Sequence, residues 1–240
     1  MALPQIIDAE HLEKLIMQMG FLPFFKNDIP RFSIDEFTPK HLWFSSLRDG
    51  PWEWKGPVIS GGHCVYGKLF QQKAGYVSLQ YYPELLNYRR ALYRPTPQEK
   101  NIYQTLLRQE SLLSKELKKL CGYVQPRAPR QNPFKQFLSK QEKALLPPKP
   151  RRGESFETAI TRLQMSCYVV IADFEYLYDH EGNRYGWGIA RYTTPEALYG
   201  SDIFNDARSH TPEESKNILL QHLHQLLPTA QPRQLLKIIG

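Results

Sequence analysis

Cysteine is scarce in this chain. Three residues in 240, Cys64, Cys121 and Cys167, stand far apart, with no Cys-x-x-Cys pair and no clustered histidines. An odd, dispersed set excludes a disulfide framework and argues against a structural zinc. No metal and no cofactor is expected, and the expected compartment is a reducing cytoplasm. His63-Cys64 is the only adjacent pair of soft ligands, and a single such pair reads as packing. Long apolar runs are lacking too: no stretch approaches the roughly eighteen residues of a membrane span. The N-terminal MALPQIIDAEHLEKL carries acids and no charged-then-apolar leader, so no secretory signal is expected. Acids themselves are nearly missing from one long segment, and that absence constrains function most.

Residues Pro126 to Arg152 hold eight basic residues, Arg127, Arg130, Lys135, Lys140, Lys143, Lys149, Arg151 and Arg152, against the single acid Glu142. The segment's net charge of +7 equals that of the whole chain, so the remaining residues sum to zero. Six prolines and no hydrophobic periodicity predict an extended or mobile loop without a core of its own. A concentrated positive field of this kind attracts polyanions, above all nucleic-acid phosphates. The plainer reading is a solvated linker whose charge serves solubility. Elsewhere, 41% hydrophobic and 12% aromatic residues are globular values, which confines expected disorder to this segment. A chain of this length builds one large domain or two small ones.

Pattern then places the elements. Asp8 reads as the N-cap and Gly20 as the stop of a first helix whose apolar face is Leu12, Leu15, Ile16 and Met19. Thr38-Pro39 reads as a second helix start, and Asp49 to Pro57 as an aromatic-rich bend. Cys64–Phe70 and Gly75–Leu79 read as a hairpin about Gln71-Gln72-Lys73, and Tyr82–Arg90 as a helix. Thr96-Pro97-Gln98-Glu99 is a capping box, followed by Ile102, Leu106 and Leu107 on one face. Ser114 reads as the cap of a short helix bearing Leu113, Leu117 and Leu120, which Gly122 ends. Ser155 caps a helix whose apolar face is Phe156, Ala159, Ile160, Leu163 and Cys167, leaving Thr158, Thr161, Arg162 and Met165 outward. Tyr168–Tyr178 and Tyr185–Tyr192 read as strands joined through Gly182-Asn183.

The expected fold class is therefore α+β, built of winged helix-turn-helix units with short antiparallel β-hairpins. Residues 1–95 form an N-terminal α+β region, 96–200 a winged-helix unit carrying the basic insertion 126–152, and 201–240 a C-terminal helical segment. In a winged helix the third helix enters the major groove and the hairpin touches backbone or minor groove. Thr158, Thr161 and Arg162 are then the candidates for phosphates or base edges. Arg127, Arg130, Arg151 and Arg152 of the insertion, Arg184 of the hairpin and Arg89-Arg90 complete the candidate set for double-stranded DNA. Winged helices also serve as protein-docking modules, with Arg162 then merely solvated. More than thirty residues separate the second and third helices, where a few suffice, and either a phosphate-clamping arm or an insertion accounts for them.

The runs FETAITRLQMSCYVVIADFEYLYDHEGNRYGWGIARYTTPE, WEWKGP, CVYGKLFQQKAGYVSLQYYPELLNYRR and LLKIIG resemble the AlkZ-related proteins, bacterial relatives of the AlkZ-type winged-helix DNA glycosylases. The resemblance to the related group covers nearly the whole chain; to the glycosylases it is looser and centred on the winged-helix part. It implies tandem winged-helix-like units that cup DNA and, for the glycosylases, excision of bulky or crosslinked alkylated bases. Those enzymes carry Gln-x-Gln or Gln-x-Asp soon after the first helix to position the attacking water, and they are longer. Here the comparable stretch is Met19-Gly20-Phe21-Leu22-Pro23-Phe24-Phe25, with Gln18 alone before it.

A relocated acid or base would fall to Glu53, flanked by two tryptophans whose apolar setting suits acid-base work, or to Asp173 or Glu84. Each has a plainer role: a turn acid, a strand-edge charge, a first-turn charge favoured by the helix dipole. Trp52, Trp54 and Tyr82 are stacking candidates for a flipped base, or core. Three readings compete: a DNA-binding protein that is non-catalytic or catalytically diverged, a metal-independent DNA glycosylase, and a protein-docking scaffold. Loss of the glutamine motif favours the first over the second, and the localised charge favours both over the third.

Overall fold

The computed structural model describes residues 5–45, 47–123, 154–182 and 184–240. Helix α1 (Ala9–Met19) starts where the Asp8 carboxylate accepts the His11 amide at 2.8 Å and stops at Gly20, whose φ of 74° suits glycine. Its buried face is the predicted Leu12, Leu15, Ile16 and Met19. The chain turns directly into β1 (Phe21–Pro23), then α2 (Ile34–Phe37) and one 3-10 turn at Lys40–Leu42. Thr38 therefore closes a helix where it was expected to open one. Inside the expected bend lies α3 (Lys55–Ser60). Pro57 is tolerated there because the amides of a first turn have no intrahelical acceptor.

Strands β2 (Cys64–Phe70) and β3 (Lys73–Ser78) form the first hairpin, and β1 pairs the other edge of β3, giving the antiparallel order β1-β3-β2. Gln71 and Gln72 make the turn with φ of 48° and 67°, a mirror-image geometry usually left to Asn and Gly. Helix α4 (Tyr82–Leu92) follows. Next come α5 (Pro97–Gln109), with its Thr96/Glu99 capping box, β4 (Ser111–Leu113) and α6 (Ser114–Leu120). Ser114 is the first helical residue rather than the cap; Leu113 holds the cap position. Leu107 and Leu120, expected inside, are 53% and 57% exposed.

Beyond the segment outside the described residues, α7 (Phe156–Met165) carries the predicted Ser155 cap, and β5 (Val170–Tyr178) and β6 (Arg184–Thr193) form the second hairpin. Strand β4 joins the free edge of β6, giving the antiparallel order β4-β6-β5. Then α8 (Pro195–Tyr199), a 3-10 turn, α9 (Asn205–Ser209), α10 (Pro212–Leu226) and α11 (Pro232–Ile239) complete an α+β chain with two small antiparallel sheets. No helix among the described residues is long and apolar enough to cross a membrane.

One hydrophobic core runs through both sheets, with Tyr66 of β2 edge-on to Phe174 of β5 at 5.7 Å. Two polar seams lock α4 into it. Glu84, buried, accepts from Ser215 of α10 at 2.6 Å and contacts His210 at 2.9 Å. Arg89, 4% exposed, donates to the carbonyls of Leu69, Met165, Ile238 and Ile239 at 2.7–3.0 Å. Removing that guanidinium strands four buried acceptors. Arg89→Met is therefore expected to lower stability by about 3 kcal/mol or more in urea unfolding. A loss under about 1 kcal/mol would show that water reaches these carbonyls.

Candidate nucleic-acid interface

Helix α7 was expected to turn Thr158, Thr161, Arg162 and Met165 outward. Thr158 is exposed, its amide donating to the Ser155 hydroxyl at 3.1 Å. Thr161 is 6% exposed and accepts from Lys68 Nζ at 3.2 Å, because β2 packs against this side of the helix. Gln164, on the same side, accepts the Lys68 amide at 3.0 Å. Met165 is half-buried. Arg162 keeps 39% of its side chain exposed, but it is not a lone cation. Its Nε lies 3.2 Å from Glu99, which is wholly buried, and Nη2 pairs with Glu154. Glu99 also accepts the Tyr93 hydroxyl at 2.8 Å and the Thr96 amide at 2.7 Å. Burial first, then the bond to Glu99, pushes the Tyr93 hydroxyl up to about 12.

The other arginines divide sharply. Arg89 faces inward as described, and its candidacy for phosphate contact fails on burial. Arg90 donates to the Cys167 carbonyl at 2.8 Å, pairs with Glu196 and lies 4.8 Å over the Tyr168 ring. Both hold the chain at the exit of α7 and are structural cations. Arg184 opens β6 opposite Tyr178, with its side chain outside the described ones. Arg127, Arg130, Arg151 and Arg152 also lie outside the described residues, as does Asn183 of the expected turn. The described residues flanking the basic segment meet: the Tyr123 ring stands edge-on to Phe156 at 5.3 Å. The segment thus leaves and rejoins the fold beside the first turn of α7.

Sequence reasoning passed over α6. Lys115 and Lys119 are exposed there, four residues apart and so on one helical face. Between them in sequence, Lys118 bonds Glu157 and lies 5.1 Å over Phe156. The signal was present in SKELKKL, where the apolar pattern drew attention to the leucines instead. Lys115 and Lys119 are exposed and suited to phosphate oxygens, while the exposed Thr158 hydroxyl shares a hydrogen bond with Ser155 at 2.8 Å.

The candidate acids and rings take structural places. Glu53 accepts the Gly50 amide at 2.9 Å, and Asp173 accepts the Phe174 amide at 2.7 Å. Glu84 lies in the α4–α10 seam. Trp54 and Tyr82 are 4% and 0% exposed, so neither offers a face for stacking; Trp52 is half-buried, 5.0 Å from Phe24. A separate cleft of about 90 Å³ lies between Phe25, Phe70 and Gln71 on one side and Gln234, Lys237 and Ile238 on the other. Among the described residues no three His, Cys, Asp or Glu side chains converge as ligands for a metal.

Fold and surface together define an α+β protein whose excess positive charge is concentrated in one insertion at one helix. The chain belongs to the AlkZ-related family, whose model matches residues 6–240, and this relates it to DNA glycosylases. No curated protein and no solved structure matches it.

The two outward residues of α7 should separate cleanly. Arg162→Ala leaves buried Glu99 without its cation and is expected to lower stability by about 2 kcal/mol in urea unfolding. Thr158→Ala should stay within about 0.5 kcal/mol. Equal, small effects would mean that Glu99 does not need Arg162.

Proposed function

We propose that this protein binds double-stranded DNA through a winged helix formed by α5, β4, α6, α7, β5 and β6, and that it does not excise bases. The observation carrying the reading is the position of the +7 segment, joined to the fold at Tyr123 and Glu154, beside the N-terminal turn of α7. Helix, strand, helix, helix and hairpin, with the first strand on the edge of the last, is the order of a winged helix. Lys115 and Lys119 widen the positive surface, and Thr158 supplies a neutral donor at the helix start. Family membership supports a DNA partner. The role of a repair accessory or regulator follows from binding without chemistry.

The absence of chemistry rests on β1. The stretch where the similar glycosylases carry paired glutamines or Gln-x-Asp is here a buried apolar strand, Phe21-Leu22-Pro23, hydrogen-bonded along β3. No side chain of that strand can orient a water, and a water displaced by about an ångström loses orders of magnitude in rate. Glu53 and Asp173, the relocated candidates, each hold a backbone amide in their own loop or strand.

Binding and chemistry are tested separately. Log affinity for a duplex should fall linearly with log salt, by roughly 0.9 per phosphate contacted. The double change Arg151→Ala and Arg152→Ala should shallow that slope by about two if both touch phosphates. An unchanged slope removes the segment from the interface.

Chemistry is read by base release from alkylated and crosslinked duplexes, and none is expected. Release that Glu53→Gln abolishes while leaving affinity intact would replace this reading with an active glycosylase.

A further inference from the structure

Phe44 and Leu47 are the most exposed large apolar side chains among the described residues, at 85% and 92%. They share the tip of one loop, Leu42 to Gly50, and the loop is built to hold them out. At its neck the chain is pinched. A Cβ on Gly50 would lie 2.0 Å from the Leu42 carbonyl oxygen, so only glycine allows the two strands of the loop to approach so closely. Glu53 fixes the same point, its carboxylate accepting the Gly50 amide at 2.9 Å while its own amide donates to the Gly50 carbonyl at 3.0 Å. Trp43, 9% exposed, roots the loop edge-on to Trp52 at 5.6 Å and Phe24 at 5.5 Å. At the tip the Ser45 hydroxyl accepts the amides of Leu47 at 3.2 Å and Arg48 at 3.1 Å, a local turn that presets the backbone. Ser46 lies outside the described residues.

Burying Leu42 and Trp43 while leaving Phe44 and Leu47 in water is not what folding alone selects. Two cations flank the tip in sequence: Lys40 and Arg48 are exposed, as is His41, and Asp49 is the only acid between Thr38 and Trp52. An apolar point with an exposed cation on either side in sequence suits a polyanion with an apolar interior. We infer that the Phe44/Leu47 tip is a wedge inserted between stacked bases of the duplex, with Lys40 and Arg48 against the flanking phosphates. This rests on the DNA-binding reading above and adds a deformation of the duplex to it. A membrane surface would also accept apolar groups and cations, but surface-lying segments bury an extended amphipathic helical face, whereas here two side chains project from a pinched loop. The inference also gives Glu53 a role as the latch that sets the wedge's angle.

The experiment uses the full chain, duplexes carrying 2-aminopurine at successive positions, and the double variant Phe44→Ala with Leu47→Ala, whose exposed sites leave the thermal melt unchanged. Wild-type protein should raise 2-aminopurine emission about two-fold or more on binding, as the base loses its stacking neighbour. The double variant should bind with the same salt slope, about ten-fold more weakly, and without the rise in emission. Binding by wild type with no emission change at any position, or an emission rise that survives in the double variant, overturns the wedge and leaves DNA binding standing. Failure of wild type to bind any duplex overturns both. Sedimentation with anionic phosphatidylserine vesicles that the double variant loses, with no emission change on DNA, assigns the tip to a lipid surface and also overturns it.

Discussion

Arg89 enters the core without an ion-pair partner among the described residues. Four of its N–H groups donate to four carbonyls instead, and three of these, Met165, Ile238 and Ile239, belong to the last turns of α7 and α11. Helix C-termini leave carbonyls without intrahelical donors and carry the negative end of the helix dipole. A guanidinium answers both needs at once, and its planar fork reaches several acceptors in fixed directions. The fourth acceptor, Leu69, belongs to β2. One side chain of α4 thus joins the first hairpin, the helix that faces the candidate DNA surface, and the C-terminal helix. Arg90 extends the grip to the Cys167 carbonyl, where φ of 60° turns the chain out of α7 toward β5. The C-terminal end of α7 is thus held by two guanidinium groups, while Glu157 and Thr158 of its first turn keep their exposure.

Local signals carried much of this architecture. Asp8 and Gly20 bracket α1, Thr96 and Glu99 start α5, Ser155 starts α7, and the strands of both hairpins lie within two residues of where the sequence pattern put them. Each is a short-range rule: a cap or a turn needs only neighbours within four residues. What escaped depends on distant partners. Thr161 was assigned to the outer face of a helix buried on one side, yet β2 covers a second side of α7. Arg89 reads as a surface cation in any window of sequence, because its acceptors arrive from residues 69, 165, 238 and 239. Helix α3 was hidden by Gly56 and Pro57, residues that usually punctuate loops. Gln71-Gln72 gave no hint of a mirror-image turn, since glutamine has no preference for positive φ.

The same division runs through the surface. Charge concentration in residues 126–152 was plain from composition, and the contact of Tyr123 with Phe156 gives it an address. The individual contact residues were less legible. Of the cations marked in advance within the described fold, Arg89, Arg90 and Arg162 are engaged with carbonyls or carboxylates, while the free pair Lys115 and Lys119 was passed over. Basic side chains in a folded protein are divided between internal acceptors and solvent, and only packing decides which. Glu53 shows the converse. Two tryptophans beside a carboxylate suggested an active acid, but an amide three residues away takes its oxygen.

The Tyr123–Phe156 contact carries a consequence for how such a chain can vary. It closes the base of the insertion, so that the fold on either side is held by its own packing whatever the intervening length. Loop-closure entropy grows only with the logarithm of length, about 0.6 kcal/mol for each doubling. Lysines and arginines can accordingly be added or deleted there, a few residues at a time, with little change in the stability of the domain. Under the proposed function, affinity for a polyanion would then be set by segment length and composition, independently of the groups that maintain the fold.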